Sequence, residues 1–152
     1  MSTEPQYIAE LRDREAIREL RMAYSQHLDS GNIAALDQVF TPDAELQLTI
    51  GTMQGLAHIQ AGLRDAFQSF DRDHRGRYPF LHVVANHQVQ MTSPDTAEGQ
   101  CYLIDFETAS KPDPNPLLLL GLYRDRYRKT ADGWRIEHSQ LAVVWPPEAS
   151  TA

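Results

Sequence analysis

Few side chains in this sequence are of a type and in a place to do chemistry, and the first to weigh are Asp29 and His82. Asp29 stands where a long amphipathic pattern ends and Ser30-Gly31-Asn32 begins. A carboxylate there is either a turn former at a helix exit or a group turned back under whatever the helix covers. Spacing alone favours the turn former. His82 lies in a run whose alternation puts His82, Val84 and Asn86 on one face and Val83, Ala85 and His87 on the other. A lone strand histidine is more often a hydrogen-bonded core residue than a base, and nothing in the spacing brings it to Asp29. Tyr24 sits one and a half helical turns before Asp29, on the apolar stripe, where an aromatic ring is ordinary core.

The remaining reactive types offer less. His27 and His58 read as surface residues. No His-x-His, His-Glu-x-x-His or paired acidic cluster has metal-ligand spacing, and no glycine-rich phosphate loop is present, so neither a metal nor any other cofactor is expected. Cys101, the single cysteine, follows Gln100 in a strand-like run and reads as a buried structural thiol.

The elements that must position these residues follow from periodicity. Ile8, Leu11, Ile17, Leu20, Ala23, Tyr24 and Leu28 recur at the spacing of a helix over 7–28. Turn residues 29–32 then lead to a short helix carrying Ile33, Leu36, Val39 and Phe40, stopped by Thr41-Pro42-Asp43, and a strand over 44–50. After a turn at 51–55, Ile59, Leu63, Ala66, Phe67 and Phe70 mark a third helix. The charged stretch 71–77 mixes arginines with aspartates and reads as a solvated loop. Strand-like runs at 80–91, 97–109, 117–129 and 133–144 follow, separated by Ser93-Pro94-Asp95, by the proline-rich 111–116 and by Ala131-Asp132-Gly133. Strands in such a row imply an antiparallel meander. The residues from Pro146 onward read as a frayed tail. The run 117–127 is apolar on both faces, which predicts one face against the helices and the other against a second subunit.

Composition excludes several classes of partner. The 152 residues suffice for one domain with a real core. With 14 basic against 21 acidic residues, a formal charge of -7 and no basic cluster, a nucleic-acid partner is not expected. No apolar run approaches the ~20 residues of a membrane span, and the opening Met1-Ser2-Thr3-Glu4-Pro5 has no leader character. A soluble, unprocessed, cytoplasmic protein is the expectation.

The order Ile17-Arg18-Glu19-Leu20, Tyr24, Asp29-Ser30-Gly31-Asn32, Leu36, Phe40-Thr41-Pro42-Asp43-Ala44, Gly55 and Ile59 resembles the first half of SnoaL-like domains. The second half is similar too, in His82-Val83-Val84-Ala85-Asn86, Asp95-Thr96-Ala97, Gly121-Leu122-Tyr123-Arg124-Asp125-Arg126-Tyr127 and Gly133-Trp134-Arg135-Ile136. The likeness runs over about residues 7–145 and implies a cone-shaped α+β barrel of the nuclear transport factor 2-like class, with three N-terminal helices on a curved, mostly antiparallel sheet.

The branch it resembles holds scytalone dehydratase, bile-acid 7α-dehydratase and a hexachlorocyclohexane dehydrochlorinase. The resemblance implies an Asp29–His82 dyad, with His82 as base, Asp29 as its orienter and Tyr24 as a hydrogen-bond donor to an oxygen gaining charge. It implies a pocket lined by Leu103, Leu119, Leu141 and Val143, with Asp105, Tyr123 and Ser139 as polar contacts. A carboxyl at Asp105 beneath an apolar roof would titrate high unless paired. The chain departs from the family pattern where a second tyrosine would stand on the first strand, which offers only Leu46 and Leu48, and where an arginine would stand at Ser139. The implied activity is a cofactor-independent lyase or isomerase acting on a small hydrophobic, cyclic, hydroxylated or carbonyl-bearing compound, in a homo-oligomer. The competing readings are a ligand-binding module of the same fold and a purely structural oligomer.

Overall fold

The computed structural model describes residues 3–75, 79–109 and 113–147. Part of the charged stretch (76–77), part of the proline-rich turn (111–112) and the tail beyond 147 lie outside the described residues.

Helix α1, Glu4–Ser30, starts where the Gln6 side chain accepts a hydrogen bond from the Thr3 backbone N–H at 2.9 Å. It ends at Gly31, whose φ of 72° only glycine adopts at no steric cost. The Gly31 and Asn32 N–H groups donate to the Leu28 and His27 carbonyls, which closes the helix and leaves Asp29 in its last turn. Its buried stripe is Ile17, Leu20, Arg21, Tyr24, Ser25 and Leu28. Ile8 and Leu11, expected on that stripe, are exposed. The 27-residue helix is about 40 Å long.

A short 3₁₀ helix, Ile33–Gln38, buries Ile33 and Leu36. Phe40, expected in that helix, instead opens β1, Phe40–Leu48. Thr41-Pro42-Asp43 therefore lies inside a strand. Its pairing with the last strand slips between Phe40 and Glu45, so the proline falls where no ladder hydrogen bond asks for its missing N–H. A two-residue turn then gives β2, Gly51–Gln54, where the sequence reading placed only a turn. Helix α2, Leu56–Phe70, buries Ile59 and Leu63.

The chain then runs through β3 (Phe80–Met91), β4 (Thr96–Glu107), β5 (Leu117–Thr130) and β6 (Gly133–Trp145), within a residue or two of the expected limits. The six strands form one sheet in the order β2-β1-β6-β5-β4-β3. All neighbours are antiparallel except β1 and β6, which are parallel. Register shifts in β3/β4, β4/β5 and β5/β6 bend these long strands, as bulges do. The inner face holds the core, with α1 along β3 and reaching β6, and α2 against β1. Helices on one face of a curved, mixed sheet make the α+β cone that the sequence implied.

One bulge redirects side chains. Asn86 has φ 53°, a left-handed conformation that asparagine tolerates better than most residues, and the pairing jumps from Ala85↔Tyr102 to Gln88↔Gln100. Strict alternation put Asn86 with His82 on one face. The extra residue instead exposes Asn86 and turns His87 inward.

Because Gly31 sets both the exit of α1 and the placement of Asp29, Gly31→Ala is expected to lower stability by about 1–2 kcal/mol, the cost of a Cβ in the left-handed region, read as a reduced urea midpoint with an unchanged slope.

Candidate active site

The end of α1 meets the edge of the sheet at Asp29 and His82. β3 is an outer strand, so the amides on its open side lack a neighbouring strand. The His82 N–H is satisfied by the Asp29 carboxylate, at 3.1 Å from each oxygen. The same carboxylate lies 2.6 Å from the ring Nδ1. A carboxylate only accepts, so Nδ1 carries the proton and the ring is held in one tautomer and orientation. Nε2 is on the side of Asp105, whose Oδ2 lies 3.8 Å away. Asp105 is the residue directly opposite His82 in the β3/β4 ladder, which brings two inward-facing side chains together.

His82 and Asp105 both line a cavity of about 90 Å³. Its other polar walls are Tyr24, Tyr123 and Thr49, and the rest is apolar, with Leu103, Leu119 and Leu141 from the sheet and Leu63, Phe70 and Phe80 closing the far side. A wider groove of about 610 Å³ crosses the opposite face between Gln88 and Arg126, but it is open and polar and holds none of these groups. Among the implied ligand contacts, Leu103, Asp105, Leu119, Tyr123 and Leu141 line the cavity, whereas Ser139 and Val143 do not. Ser139 is fully buried but receives a hydrogen bond from Arg21 at 3.3 Å. Val143 pairs with Gly121 near the end of β6, beside a register shift of β5/β6, and is partly exposed.

Arg21 is the residue that the sequence reading missed. It is fully buried, its guanidinium carbon 3.5 Å from the Tyr123 ring centre and 4.6 Å from that of Tyr24. Its counter-charge is Asp125, at 3.5 Å. The Tyr127 hydroxyl donates to Asp125 at 2.7 Å, and the ring Nε2 of His87 lies 3.1 Å from that hydroxyl. Since the phenol proton is committed to Asp125, His87 is the donor to Tyr127. Burial holds His87 down to about 4, so at neutral pH it sits there uncharged. Gly99 makes room for this pair: a Cβ there would lie 3.0 Å from the Tyr127 ring and 3.3 Å from His87 Nε2. The signal for Arg21 was in the sequence. Ile17, Arg21, Tyr24 and Leu28 share one helical face, and an arginine on that face must be paired inside.

The electrostatics of the walls follow from burial. The Tyr24 phenol is pushed up to about 12, chiefly by loss of water, with Arg21 and then Tyr123 opposing. Its hydroxyl is buried with no partner of hydrogen-bonding geometry among the described residues. Tyr123 is raised as well, again by burial first. Asp105 is raised to about 6 by burial, with His82 pulling the other way and the charges of Asp29 and Glu107 adding to the rise. Cys101 is buried and its thiol is pushed up to about 11 by desolvation, which suits a structural residue.

The Asp105 shift has a consequence for stability. The folded carboxyl keeps its proton to about pH 6 and the unfolded one to about 3.8, so between these values the folded chain binds more protons and stability falls as pH rises. Asp105→Asn is expected to melt close to the parent at pH 4 and above it at pH 7.5, a gap of up to about 3 kcal/mol, followed by thermal unfolding at both pH values.

Comparison with known proteins agrees with this frame. The SnoaL-like domain profile matches residues 9–140. An uncharacterised protein of Mycobacterium tuberculosis is 31% identical over 133 residues, covering 85% of this chain and 84% of that one. Among solved structures, an NTF2-like protein with a cystatin-like fold from Novosphingobium aromaticivorans superposes with a TM-score of 0.75 at 26% identity, over 97% of this chain and 94% of that one. A candidate scytalone dehydratase of the same organism gives 0.76 at 21% identity over 90% and 87%, and a hexachlorocyclohexane dehydrochlorinase of Novosphingobium barchaimii gives 0.74 at 16% over 95% of each. With helices, sheet and cavity walls nearly all inside the matched span, the chain belongs to the SnoaL-like domain family.

Proposed function

We propose that the chain is a cofactor-independent lyase or isomerase of the dehydratase kind, acting on a small hydrophobic, cyclic compound that carries a hydroxyl or carbonyl group. The observation that carries this reading is the 2.6 Å contact of Asp29 with Nδ1 of a histidine in the wall of an apolar cavity. His82 is the general base, and Asp29 fixes its tautomer and stabilises the imidazolium formed when a carbon-bound proton is taken. Tyr24 donates to the oxygen that gains charge, and the leucines of the sheet hold the ring. Neighbours of the same fold whose names denote a dehydratase and a dehydrochlorinase are in keeping with elimination chemistry. Assistance of this kind is worth about 100- to 10,000-fold, so the substrate must bring an already acidified proton.

The ligand-binding alternative draws on the first strand offering only Leu46 and Leu48, and on Ser139, where some members of the resembled family carry a second tyrosine and an arginine. It requires a bound compound to be recovered unchanged. The single cysteine suits a cytoplasmic setting, and no helix among the described residues is long and apolar enough to cross a membrane.

The outer sheet face is the proposed contact with a second copy. Rows Val83–Ile104–Leu120 and Ala85–Tyr102–Leu122–Ala142 lie in register across neighbouring strands, and Tyr102 is 53% exposed. A continuous apolar surface of this kind is uncommon on a monomer.

Two measurements test these readings. His82→Ala is expected to abolish conversion of a responsive cyclic ketol while leaving the circular dichroism spectrum intact, and turnover at the parent rate would end the proposal. Tyr102→Glu is expected to shift the mass by light scattering from an oligomer to the 17.3 kDa monomer, and an unchanged mass would remove this face from assembly.

A further inference from the structure

Along the chain, Tyr123-Arg124-Asp125-Arg126-Tyr127 reads as self-neutralising, but a strand sends alternate side chains to opposite faces. Asp125 goes inward, where Arg21 takes up its charge. Arg124 and Arg126 are left together on the outer face, exposed and about 7 Å apart along β5. Neither has a hydrogen-bond or ion-pair partner among the described residues. In a chain of formal charge -7, such a pair is a local reversal of sign.

Both arginines border the groove of about 610 Å³ on that face. The bulge at Asn86 bends β3 just before Gln88, which opens the groove wall. Cross-strand register then lines up two polar rows, Gln88–Gln100–Arg124 and Gln90–Glu98–Arg126–His138. Gln100 Nε2 donates to Gln88 Oε1 at 3.1 Å, so the Gln88 amide keeps both of its N–H donors for another acceptor. Glu98 stands opposite Arg126 without forming an ion pair and is an acceptor for hydroxyl protons. His138 is held by Glu45 at 3.4 Å. The apolar row that ends the proposed contact with a second copy, Ala85–Tyr102–Leu122, is the row before Gln88–Gln100–Arg124, so the groove lies beside that contact.

We propose that this groove is a second ligand site, which takes a small polyhydroxylated oxyanion: a phosphate or carboxylate on a sugar-like chain. The planar guanidinium of Arg124 and the Gln88 amide hold the oxyanion, with Arg126 as the second cation. Hydroxyls along the chain donate to Glu98 and accept from Gln90. The groove has the volume of a small-molecule site, more than a bare phosphate would fill. It is polar where the His82 cavity is apolar, and it stands whether or not His82 is a base.

The test is calorimetric titration of the full chain at low ionic strength with glucose 6-phosphate, gluconate and glucose. At least one of the two oxyanions is expected to bind, and the tighter of them tells phosphate from carboxylate; glucose is expected not to bind. Arg124→Gln and Arg126→Gln are each expected to weaken binding by about tenfold or more. Both side chains are exposed, so the circular dichroism spectrum should be kept. His82→Ala is expected to bind as the parent does, and loss of binding there would move the ligand to the cavity and overturn the proposal. Absence of binding by both oxyanions, equal binding of glucose, or unchanged affinity in the Arg124→Gln/Arg126→Gln double variant would each overturn it too. A change of mass by light scattering in that double variant, with no probe bound by the parent, would give the arginines to a contact between copies instead.

Discussion

The carboxylate of Asp29 does two jobs that would otherwise need separate partners. It answers a backbone amide on the open side of an edge strand, and it holds the ring of the same residue by Nδ1. An edge strand is a weak place to build a precise site, because the amides on its outer side are open to water or to another strand. Tying the end of α1 to His82 through both amide and ring removes that freedom. Much else is arranged around this contact: the glycine exit that leaves Asp29 in the last helical turn, the lie of α1 along β3, and the ladder position that sets Asp105 opposite His82.

Arg21 provides the second constraint. A buried guanidinium is costly unless it is paired, and here it meets Asp125, Ser139 and the faces of Tyr24 and Tyr123. Two of its nitrogens, Nε and Nη2, have no hydrogen-bond partner among the described residues, so the stacking on aromatic faces carries part of the compensation. A fixed positive charge behind two phenols makes each a better donor than burial alone would leave it. Arg21 opposes the desolvation that raises both tyrosines. Asp125 is in turn held by Tyr127, and Tyr127 by His87, so the support under the cavity extends to the bulge at Asn86.

The two carboxylates near His82 sit in different surroundings. Asp29 takes two hydrogen bonds from His82 and is partly open to solvent. Asp105 is enclosed by leucines and phenols, its Oδ1 has no hydrogen-bond partner among the described residues, and burial raises its titration to about 6.

What the residues alone determined was the part governed by local periodicity. The stripe on α1 and the runs that became β3 to β6 could be read almost to their limits, because burying one face imposes a period of 3.6 or 2 on the chain. The resemblance to a family pointed at Asp29, His82 and Tyr24. Tertiary structure decided the rest. The short strand β2 has too few residues to show a period, and Pro42 could enter β1 only because the pairing slips there. The bulge at Asn86 broke the alternation that placed it beside His82. Asp105 meets His82, and Arg21 meets Asp125, through cross-strand register and the placement of a helix on a sheet. Those are contacts between residues 23 and 104 positions apart, set by how the whole chain closes on itself and invisible to any local pattern.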